Sequence, residues 1–483
     1  MFRERNQVPI GVMTTSAGAA ITYSEANNTL NSRLVYNDYF MESISHVVRE
    51  RIPERVLHSK GTGAFGHFTV THNISAICRA KLFSEDGKKT PIAVRFSLST
   101  SEKDGSDTFR DTRGFAVKFY TEEGNFDLLS VSFPVFAVKD PILFQSFCRS
   151  QSRNPTTNLR DPNMFWDFVT LNPSTFLFFL YIFGDTGVIN SYRHMPGYAV
   201  HTFQVENDKG ETYFIKFHIT PDSGIKTFTS EQARTIEEVD FDYNRRDLYN
   251  AIEAENFPVW TLSIQVLTLE DVNKIGSKAF DVTRILPIDE YPLMPIGKIE
   301  LNRNPQNSFA QIEQMAMNPG NLVDGILGGP DTFFQARLIF YRDAQLYRLG
   351  ANYNNIRVNC PFQTRPLVYN RDGRPPLGDN ENDIPNYYPN SFNGPVPYSA
   401  NKRQSLIKIK EENPYNFDQA SDLYVSLSNE ERNRLIETML SSLRPAVSFI
   451  QQKAIKIFKT IHPDLGRRVE QGLLANRTND DFV

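Results

Sequence analysis

The sequence predicts an α+β fold in which a strand-rich region is followed by a helix-rich one. Residues 56–300 contain several segments of alternating apolar and polar side chains, the period of two that is typical of β-strands. Residues 421–483 instead carry apolar side chains at helical spacing. Residues 301–420 are rich in Pro, Asn and Gly, and residues 1–55 are polar and irregular. We therefore expect four regions with these bounds.

Alternating apolar and polar side chains predict the strands of the strand-rich region. Its clearest strand patterns lie at residues 93–98, 115–120, 213–219 and 260–266. Helical insertions interrupt the strands, and the segment 162–183 is the most apolar of them. Its longest apolar stretch, residues 176–183, is too short to span a bilayer, which takes about 20 consecutive apolar residues.

Helix-capping and helix-breaking residues predict where helices begin and end in the second half of the chain. One helix is expected from near Asp331 to just before Gly350, because glycine commonly follows the last residue of a helix. In the tail, Ser428 and Glu431 form a capping-box pattern, and Pro445 should break the helix that follows. A region such as 301–420, with a single helix, argues against a compact isolated domain.

Composition excludes several classes of protein. The 483 residues have a formal net charge of −4, so nothing indicates a nucleic-acid partner. No apolar run is long enough for a transmembrane segment. The three cysteines, Cys78, Cys148 and Cys360, are widely spaced and indicate neither a disulfide framework nor a metal site.

Arg337 and Tyr341 are four residues apart in the predicted helix of the third region, so both side chains lie on one face. A guanidinium group beside a phenol favours the phenolate, and tyrosinate is a known axial ligand of haem iron. Gln345 and Arg348 continue the same face. Most such pairs only pack or share a hydrogen bond, so the spacing alone does not identify a haem site.

Several uninterrupted motifs raise the significance of that pair. They lie at residues 51–66, 94–97, 110–120, 193–195, 201–203, 260–261, 301–305 and 385–391. Together with the Tyr341 segment they strongly resemble the haem catalases, over nearly the whole chain from about Thr14. The resemblance implies an antiparallel eight-stranded β-barrel with an N-terminal arm, a wrapping segment and a C-terminal helical layer. It also implies a homotetramer in which the arm exchanges with a neighbouring subunit.

The resemblance assigns roles to individual residues around a ferric haem b. Tyr341 corresponds to the iron ligand on the proximal side, and His58 to the base on the opposite, distal side. A neutral imidazole can take a proton from a hydroperoxide and return it to the departing oxygen. Ser97 corresponds to the hydroxyl that orients this imidazole. The other positions that match the haem site are Arg55, Arg95, Phe136, Phe144, His201, Arg337 and Arg348.

One distal position departs from the family pattern. Catalases carry an Asn beside the distal His, and with Pro134 and Phe136 aligned that position is Val131. Loss of a preorganised polar group typically costs about 2.7–4 kcal/mol of transition-state stabilisation, so fast hydrogen peroxide dismutation should be impaired. A local gap would instead place Ser130 or Ser132 there.

The expected access passage changes in the same direction. Leu57 stands where the family usually has a smaller Val, Ala137 where Phe is common, and Ser99 where an apolar residue is usual. Asp111, which matches the channel carboxylate, is kept. A larger and more apolar passage favours an organic hydroperoxide, although drift in a weakly constrained channel would look the same.

The dinucleotide site of small-subunit catalases is also altered. The matching positions hold Leu177, Gly184, Thr186, Pro196, Thr220 and Ile288 in place of polar and cationic residues. Because the cationic groups that would hold phosphates are missing, we predict that NADPH does not bind.

Three functional hypotheses follow. The first is a haem enzyme that converts organic hydroperoxides, most of all those of fatty acids, as in the family branch that contains coral-type allene oxide synthase and insect fatty-acid hydroperoxide dehydratase. The second is a conventional catalase of reduced activity, and the third is a haem protein without activity. The C-terminal residues 480–483 are not a peroxisomal address, and the N-terminus lacks a secretory apolar region, so the location of the protein stays open between secretion and the cytoplasm.

Overall fold

The computed structural model describes residues 11–27, 37–374, 381–398, 405–410, 415 and 417–480, without the side chains of 476–480. The chain divides into two compact units, Met1–Glu54 and Arg55–Val483. The first unit contains α1 (Tyr23–Asn27) and α2 (Asp38–Val47). Asn37 caps α2 by accepting a hydrogen bond from the Phe40 amide at 3.0 Å. No residue of α2 is buried.

An antiparallel sheet forms the centre of the second unit. Its strands are β1 (Gly61–Val70), β2 (Lys89–Leu98), β3 (Arg113–Thr121), β4 (Gly124–Val131), β5 (Gly197–Tyr198), β6 (Phe203–Glu206), β7 (Thr212–Pro221), β8 (Val259–Leu267), β9 (Met294–Arg303) and β10 (Ile326–Gly328). Eight of them close a ring in the order β1-β2-β3-β4-β5-β7-β8-β9, since β7 pairs with β8 and β9 pairs with β1. Strands β6 and β10 extend the sheet beside β7. The predicted eight-stranded barrel is confirmed.

The barrel closes around an aromatic core. Phe96, Phe115 and Trp260 are fully buried, and their ring centroids lie 4.7–5.7 Å apart. Successive side chains of a strand point to opposite faces. The outward-facing residues of β2–β4 are therefore available for a site on the outer face of the barrel.

Helices cover part of that outer face. In the second unit they are α3 (Pro141–Ser150), α4 (Pro162–Leu171), α5 (Phe176–Phe183), α6 (Ser230–Glu237), α7 (Tyr243–Glu253), α8 (Leu269–Ile275), α9 (Thr332–Leu349), α10 (Asp418–Ser426), α11 (Asn429–Leu443), α12 (Ser448–Ile461) and α13 (Pro463–Asp480). The tail helices pack on α4 and α5, where Trp166 stacks on Phe183 at 5.5 Å and meets Phe458 edge-on. The apolar segment 162–183 is therefore part of a packed helical layer.

The helix boundaries agree with those predicted from capping residues and proline. Asp331 caps α9 by accepting the Phe334 amide at 2.7 Å, and Gly350 follows its last residue. Ser428 and Glu431 form the expected capping box of α11, which ends before Pro445. The third region holds more than the one predicted helix, since it also contains β10 and a π-helical turn, Phe309–Glu313.

After α9 the chain runs back along the barrel. The Tyr120 hydroxyl donates to the carbonyl of Val358 at 2.5 Å, and the Asn125 amide donates to that of Asn359 at 2.8 Å. Residues 358 and 359 are therefore held near the turn that joins β3 and β4. Among the described helices, none combines the length and apolar character that crossing a membrane requires.

Candidate functional site

A cavity of about 1140 Å³ lies on the outer face of β2–β4. The strands contribute alternate side chains to its wall, namely Arg95, Ser97, Gly114, Ala116, Leu129 and Val131. Small-molecule pockets usually measure about 300–1,000 Å³. The cavity therefore has room for a large cofactor together with a second molecule.

His58 borders the cavity just before β1. Its Nδ1 atom lies 3.0 Å from the Ser97 hydroxyl, which fixes the plane of the ring. The backbone of His58 has φ 64°, a left-handed conformation that is uncommon for a non-glycine residue. Its N–H donates to the Ser99 carbonyl at 2.9 Å, and its own carbonyl accepts from Arg95 at 2.9 Å. These hydrogen bonds hold His58 in its uncommon backbone conformation.

Gly114 allows the imidazole and the hydroxyl to meet. A Cβ atom on this residue would lie 2.7 Å from Ser97 Oγ and 2.9 Å from His58 Nδ1. Any side chain at position 114 would therefore push the histidine away from its partner.

The imidazole of His58 is held in its neutral form. Burial and the positive charges of Arg95, Arg55 and Arg337 together lower the pKa of His58 to about 3. A neutral ring can accept a proton at one nitrogen while the other faces Ser97. His58 thus has the protonation state that a general base needs.

Tyr341 lines the same cavity from α9. Arg337 is one helical turn earlier and donates a hydrogen bond to the phenolic oxygen at 3.4 Å. Gln345 and Arg348 also reach the cavity from this helix. The face predicted from the spacing of these residues is therefore the one that α9 turns to the cavity.

His201 is fully buried beside the start of α9. Its Nδ1 atom lies 2.9 Å from Asp331 Oδ2, and its Nε2 atom has no hydrogen-bond partner among the described residues. The ring stacks on Phe333 at 5.9 Å. His201 therefore supports the helix that carries Tyr341, consistent with its predicted place on the proximal side.

Three arginines that line the cavity gather around one carboxylate, that of Glu313. Arg55 and Arg348 each approach Glu313 Oε1 at 3.3 Å. Burial lowers the pKa of Arg95 to about 10, and the like charge of Arg348 and the opposite charge of Glu313 act on it as well. The pKa of Arg55 is lowered too, by burial first and then by repulsion from Arg95 and Arg348. Anionic groups bound here would relieve that repulsion.

Aromatic rings form part of the cavity wall. Phe136 stacks on Phe333 at 5.1 Å, and Phe144 meets the edges of Phe333 and Phe340 at 5.5 Å each. All four rings line the cavity. They provide flat apolar surface that is suited to packing against a macrocycle.

The position of Val131 follows from an unbroken strand register. Strands β3 and β4 pair without a bulge from Thr121↔Gly124 to Gly114↔Val131, so Val131 is opposite Gly114 on the cavity face. Ser132 is turned elsewhere, because its hydroxyl accepts the Arg113 amide at 3.0 Å. Ser130 pairs with Phe115 on the alternate face. The register thus contains no gap of the kind that would shift a serine into place.

Ser130 still borders the cavity, and its hydroxyl is buried without a hydrogen-bond partner in the part of the chain described. The amide side chains that line the cavity are Gln145, Gln151 and Gln345, and none of these belongs to the strands around His58. An isopropyl group therefore stands beside the distal imidazole.

The passage residues separate into two groups. Leu57, Ser99 and Asp111 line the cavity as expected. Ala137 is fully buried in the apolar cluster shared with the helical layer. The small residue at position 137 therefore fits a packed core.

These features fit a haem group. The cavity offers a phenol, an imidazole, aromatic walls and an arginine cluster for two carboxylates. The Nε atom of Arg95 is buried without a partner among the described residues, as expected of a donor that awaits an anion. Tyr341 would hold the iron, and Arg55, Arg95 and Arg348 the propionates.

Comparisons with known proteins agree with the fold and with this site. Residues 14–394 match the family model "Catalase", and residues 410–473 match "Catalase-related immune-responsive". The chain is 45% identical to a catalase of Sus scrofa over 95% of its length and 89% of the relative. It is 43% identical to a catalase of Drosophila melanogaster, with coverage of 98% and 96%.

Solved structures give the same result. A fungal catalase superposes with a TM-score of 0.91 at 35% identity, covering 96% of this chain and 97% of that one. Catalase A from Saccharomyces cerevisiae superposes with a TM-score of 0.88 at 36% identity, covering 96% and 99%. Fold and site therefore define a haem-dependent class of enzymes. Within that class, the chain belongs to the catalase family.

Sequence reasoning missed Glu313 and Gly114. No local pattern marks Glu313, whose significance comes only from the three arginines that the fold brings to it. Gly114 lies inside one of the quoted motifs, and a glycine within a strand commonly indicates a close approach by another group.

Proposed function

We propose that this catalase-family enzyme converts organic hydroperoxides, fatty-acid hydroperoxides above all, and dismutates hydrogen peroxide only weakly. The observation that carries the proposal is Val131, which faces the cavity beside His58 in an unbroken register. Hydrogen peroxide is small and polar, and its positioning depends on donors around both oxygens. An organic hydroperoxide is also positioned by its hydrocarbon part, which an aliphatic wall can bind.

The reaction that we propose is a dehydration. A secondary hydroperoxide loses water and becomes a ketone, as one O–O and one C–H bond break and a C=O and an O–H bond form. No external oxidant or reductant is needed. Haem, when bound, supplies a ferric centre that weakens the O–O bond.

The residues of the chain handle the protons in this reaction. Neutral His58 accepts the hydroperoxide proton and returns it to the departing oxygen, and the hydrogen released from the C–H bond completes the water molecule. Ser97, 3.0 Å from Nδ1, keeps the other nitrogen turned to the substrate. Rearrangement to an epoxide would use the same groups.

A conventional catalase is the second candidate, and the comparisons with relatives favour it. The chain is 42–45% identical to curated catalases over at least 95% of its length. It also keeps the base, its serine partner and the tyrosine in one cavity. In this reading Val131 slows the enzyme without changing its substrate.

Product analysis separates the two candidates. Haem-loaded protein is mixed with the 13-hydroperoxide of linoleic acid, products are identified by mass spectrometry, and oxygen release from hydrogen peroxide is measured in parallel. We expect a keto fatty acid or its rearranged isomer, and weak oxygen evolution. His58→Gln, with the same haem content, is the control and should lose both activities. Oxygen evolution at ordinary catalase rates without a fatty-acid product would establish the second candidate instead.

A further inference from the structure

We propose that Arg160 binds the carboxylate group of the substrate at the outer end of the cavity. The inference deepens the proposed function, on which it rests, and makes a free fatty acid the substrate class. Arg160 is exposed and lines the same cavity as His58.

Arg160 lies over the loop that leads to the distal imidazole. Its Nη2 atom donates to the Thr100 carbonyl at 3.1 Å, and its guanidinium carbon lies 5.4 Å from the centre of the Phe109 ring. Thr100 follows Ser99, whose carbonyl accepts the His58 amide. A group bound at Arg160 is therefore on a wall continuous with the catalytic base.

The guanidinium group of Arg160 has N–H groups that can donate to a ligand. Within the described residues, no carboxylate lies within 4.0 Å of it, and Nη2 alone has a hydrogen-bond acceptor. Two other arginines of the cavity are more occupied. Arg110 donates to the carbonyls of Ile182 and Gly184 and to Ser230 Oγ, and Arg434 pairs with Asp185 at 2.6 Å.

The same cavity provides apolar surface for a hydrocarbon chain. Its wall includes Phe109, Phe165, Phe178, Phe179, Ile182 and Phe183. Phe178 and Phe179 are buried, so a chain bound against them leaves water. A cation at the rim and apolar side chains along the wall complement a long-chain acid.

Asp111 sets the orientation of such a substrate. It is buried, and its carboxylate accepts the Thr100 amide at 2.6 Å. Burial raises the pKa of Asp111 to about 6, so at neutral pH it is mostly ionised. A substrate carboxylate is repelled from this inner position and attracted to Arg160 at the rim. The hydroperoxide end is then the end that enters toward His58.

The test uses the haem-loaded enzyme and two matched ligands, linoleic acid and its methyl ester, with binding measured by calorimetry. KM values for the corresponding 13-hydroperoxides are measured alongside. We expect Arg160→Gln to weaken binding of the acid about fivefold, as for an exposed ion pair, with less effect at high salt. Binding of the ester should not change, and Arg160→Lys should retain most of the affinity for the acid.

Arg234→Gln is the charge-matched control, because Arg234 is another exposed arginine of the same cavity. It should leave both ligands unaffected. Equal binding of acid and ester by the wild type, or a loss with Arg234→Gln that Arg160→Gln does not produce, would overturn this inference. Failure of the proposed function is visible separately, as a wild type that converts neither hydroperoxide.

Discussion

At the scale of single residues, the distal side of the cavity combines a neutral base with an aliphatic neighbour. His58 and Ser97 are 3.0 Å apart, and Gly114 leaves the space that they need. Val131 comes from the strand position opposite Gly114. The imidazole and the hydroxyl to which the family resemblance assigns proton transfer are thus side by side, without the amide that the resemblance implies beside them.

Restoring that amide is the direct test of its importance. Val131→Asn should raise hydrogen peroxide turnover by about 10²-fold, since one preorganised donor is worth about 10²–10³ in rate. Oxygen evolution per haem measures the change. Val131→Ala, which alters size without adding an amide, should give no such rise.

Ser130→Ala complements this experiment, because the Ser130 hydroxyl is a second polar group beside the cavity. If Ser130→Ala abolishes turnover while Val131→Asn has no effect, the hydroxyl has replaced the amide. Our account of the specificity would then be wrong.

The pH profile reports on the protonation state of His58. Because its pKa is lowered to about 3, the imidazole stays neutral above that value and becomes protonated only as the pH falls toward it. We expect kcat/KM to show no step near 6.5, the ordinary value for histidine. Stopped-flow measurements between pH 4 and 8 would show this.

Asp111 titrates in the same range and needs its own control, since burial raises its pKa to about 6. A step near pH 6 that disappears in Asp111→Asn belongs to this carboxyl group. A step that persists in the variant contradicts a neutral His58.

At the scale of elements, α9 links the stability of the fold to the candidate site, because the residue that caps this helix also holds a residue beside the site. Asp331 caps the helix through the Phe334 amide and also holds His201, while Tyr341 lies further along the same helix. The carboxylate thus fixes both the start of the helix and the buried imidazole beside it. The pKa of Asp331 is lowered by His201 and by the Phe334 amide, against the opposing effect of burial.

Removing this carboxylate should cost more than removing an ordinary cap. Asp331→Ala loses a cap, about 1 kcal/mol, and leaves a buried histidine unpaired, about 1–3 kcal/mol more. Ser428→Ala removes the cap of α11 alone and should cost about 1 kcal/mol. Chemical unfolding measures both changes, and only Asp331→Ala should also weaken haem retention. Equal losses in the two variants would show that the His201 contact is dispensable.

The β3–β4 pair shows how much of an element can be predicted from the sequence. Alternation predicted β3 at residues 115–120 but did not mark β4, and alignment on Pro134 and Phe136 predicted which residue replaces the Asn. Whether a serine is shifted into that place could not be decided from one chain, because a bulge leaves no necessary trace in sequence. The continuous pairing from Thr121↔Gly124 to Gly114↔Val131 answers that question.

At the scale of the whole molecule, some large apolar side chains are exposed to solvent in the single chain. Tyr347 and Leu346, near the end of α9, are 74% and 43% exposed. Exposed apolar surface of this kind commonly belongs to an interface. The observation is consistent with the homotetramer that the family resemblance implies.

We expect light scattering to give a mass near four times the 55.3 kDa of the chain. Tyr347→Lys should weaken assembly, because it places a charge in the interface, while leaving the haem spectrum unchanged. A wild-type protein that elutes as a monomer at micromolar concentration would contradict the prediction.

We also predict that NADPH does not bind. Of the altered positions, Leu177 is buried and apolar, and the Thr186 hydroxyl is engaged with the Tyr181 carbonyl at 2.7 Å. Adding NADPH should therefore leave the unfolding temperature unchanged, since only a ligand of the native state raises it. A saturable change in nucleotide fluorescence would refute this.

From the amino-acid sequence, periodicity and capping residues predicted the strand-rich region and the boundaries of α9, while the resemblance to haem catalases, carried by long motifs, implied the barrel and the candidates His58, Ser97, Val131 and Tyr341. Those features depend on periodicity, on capping residues and on long motifs, all of which are local along the chain. Only the tertiary structure decided that these residues share one cavity, that Glu313 gathers three arginines, and that Arg160 stands at the rim beyond Thr100. Such relations join positions that are far apart in the sequence. They arise when the strands close into a barrel around the core, and no local sequence pattern predicts them.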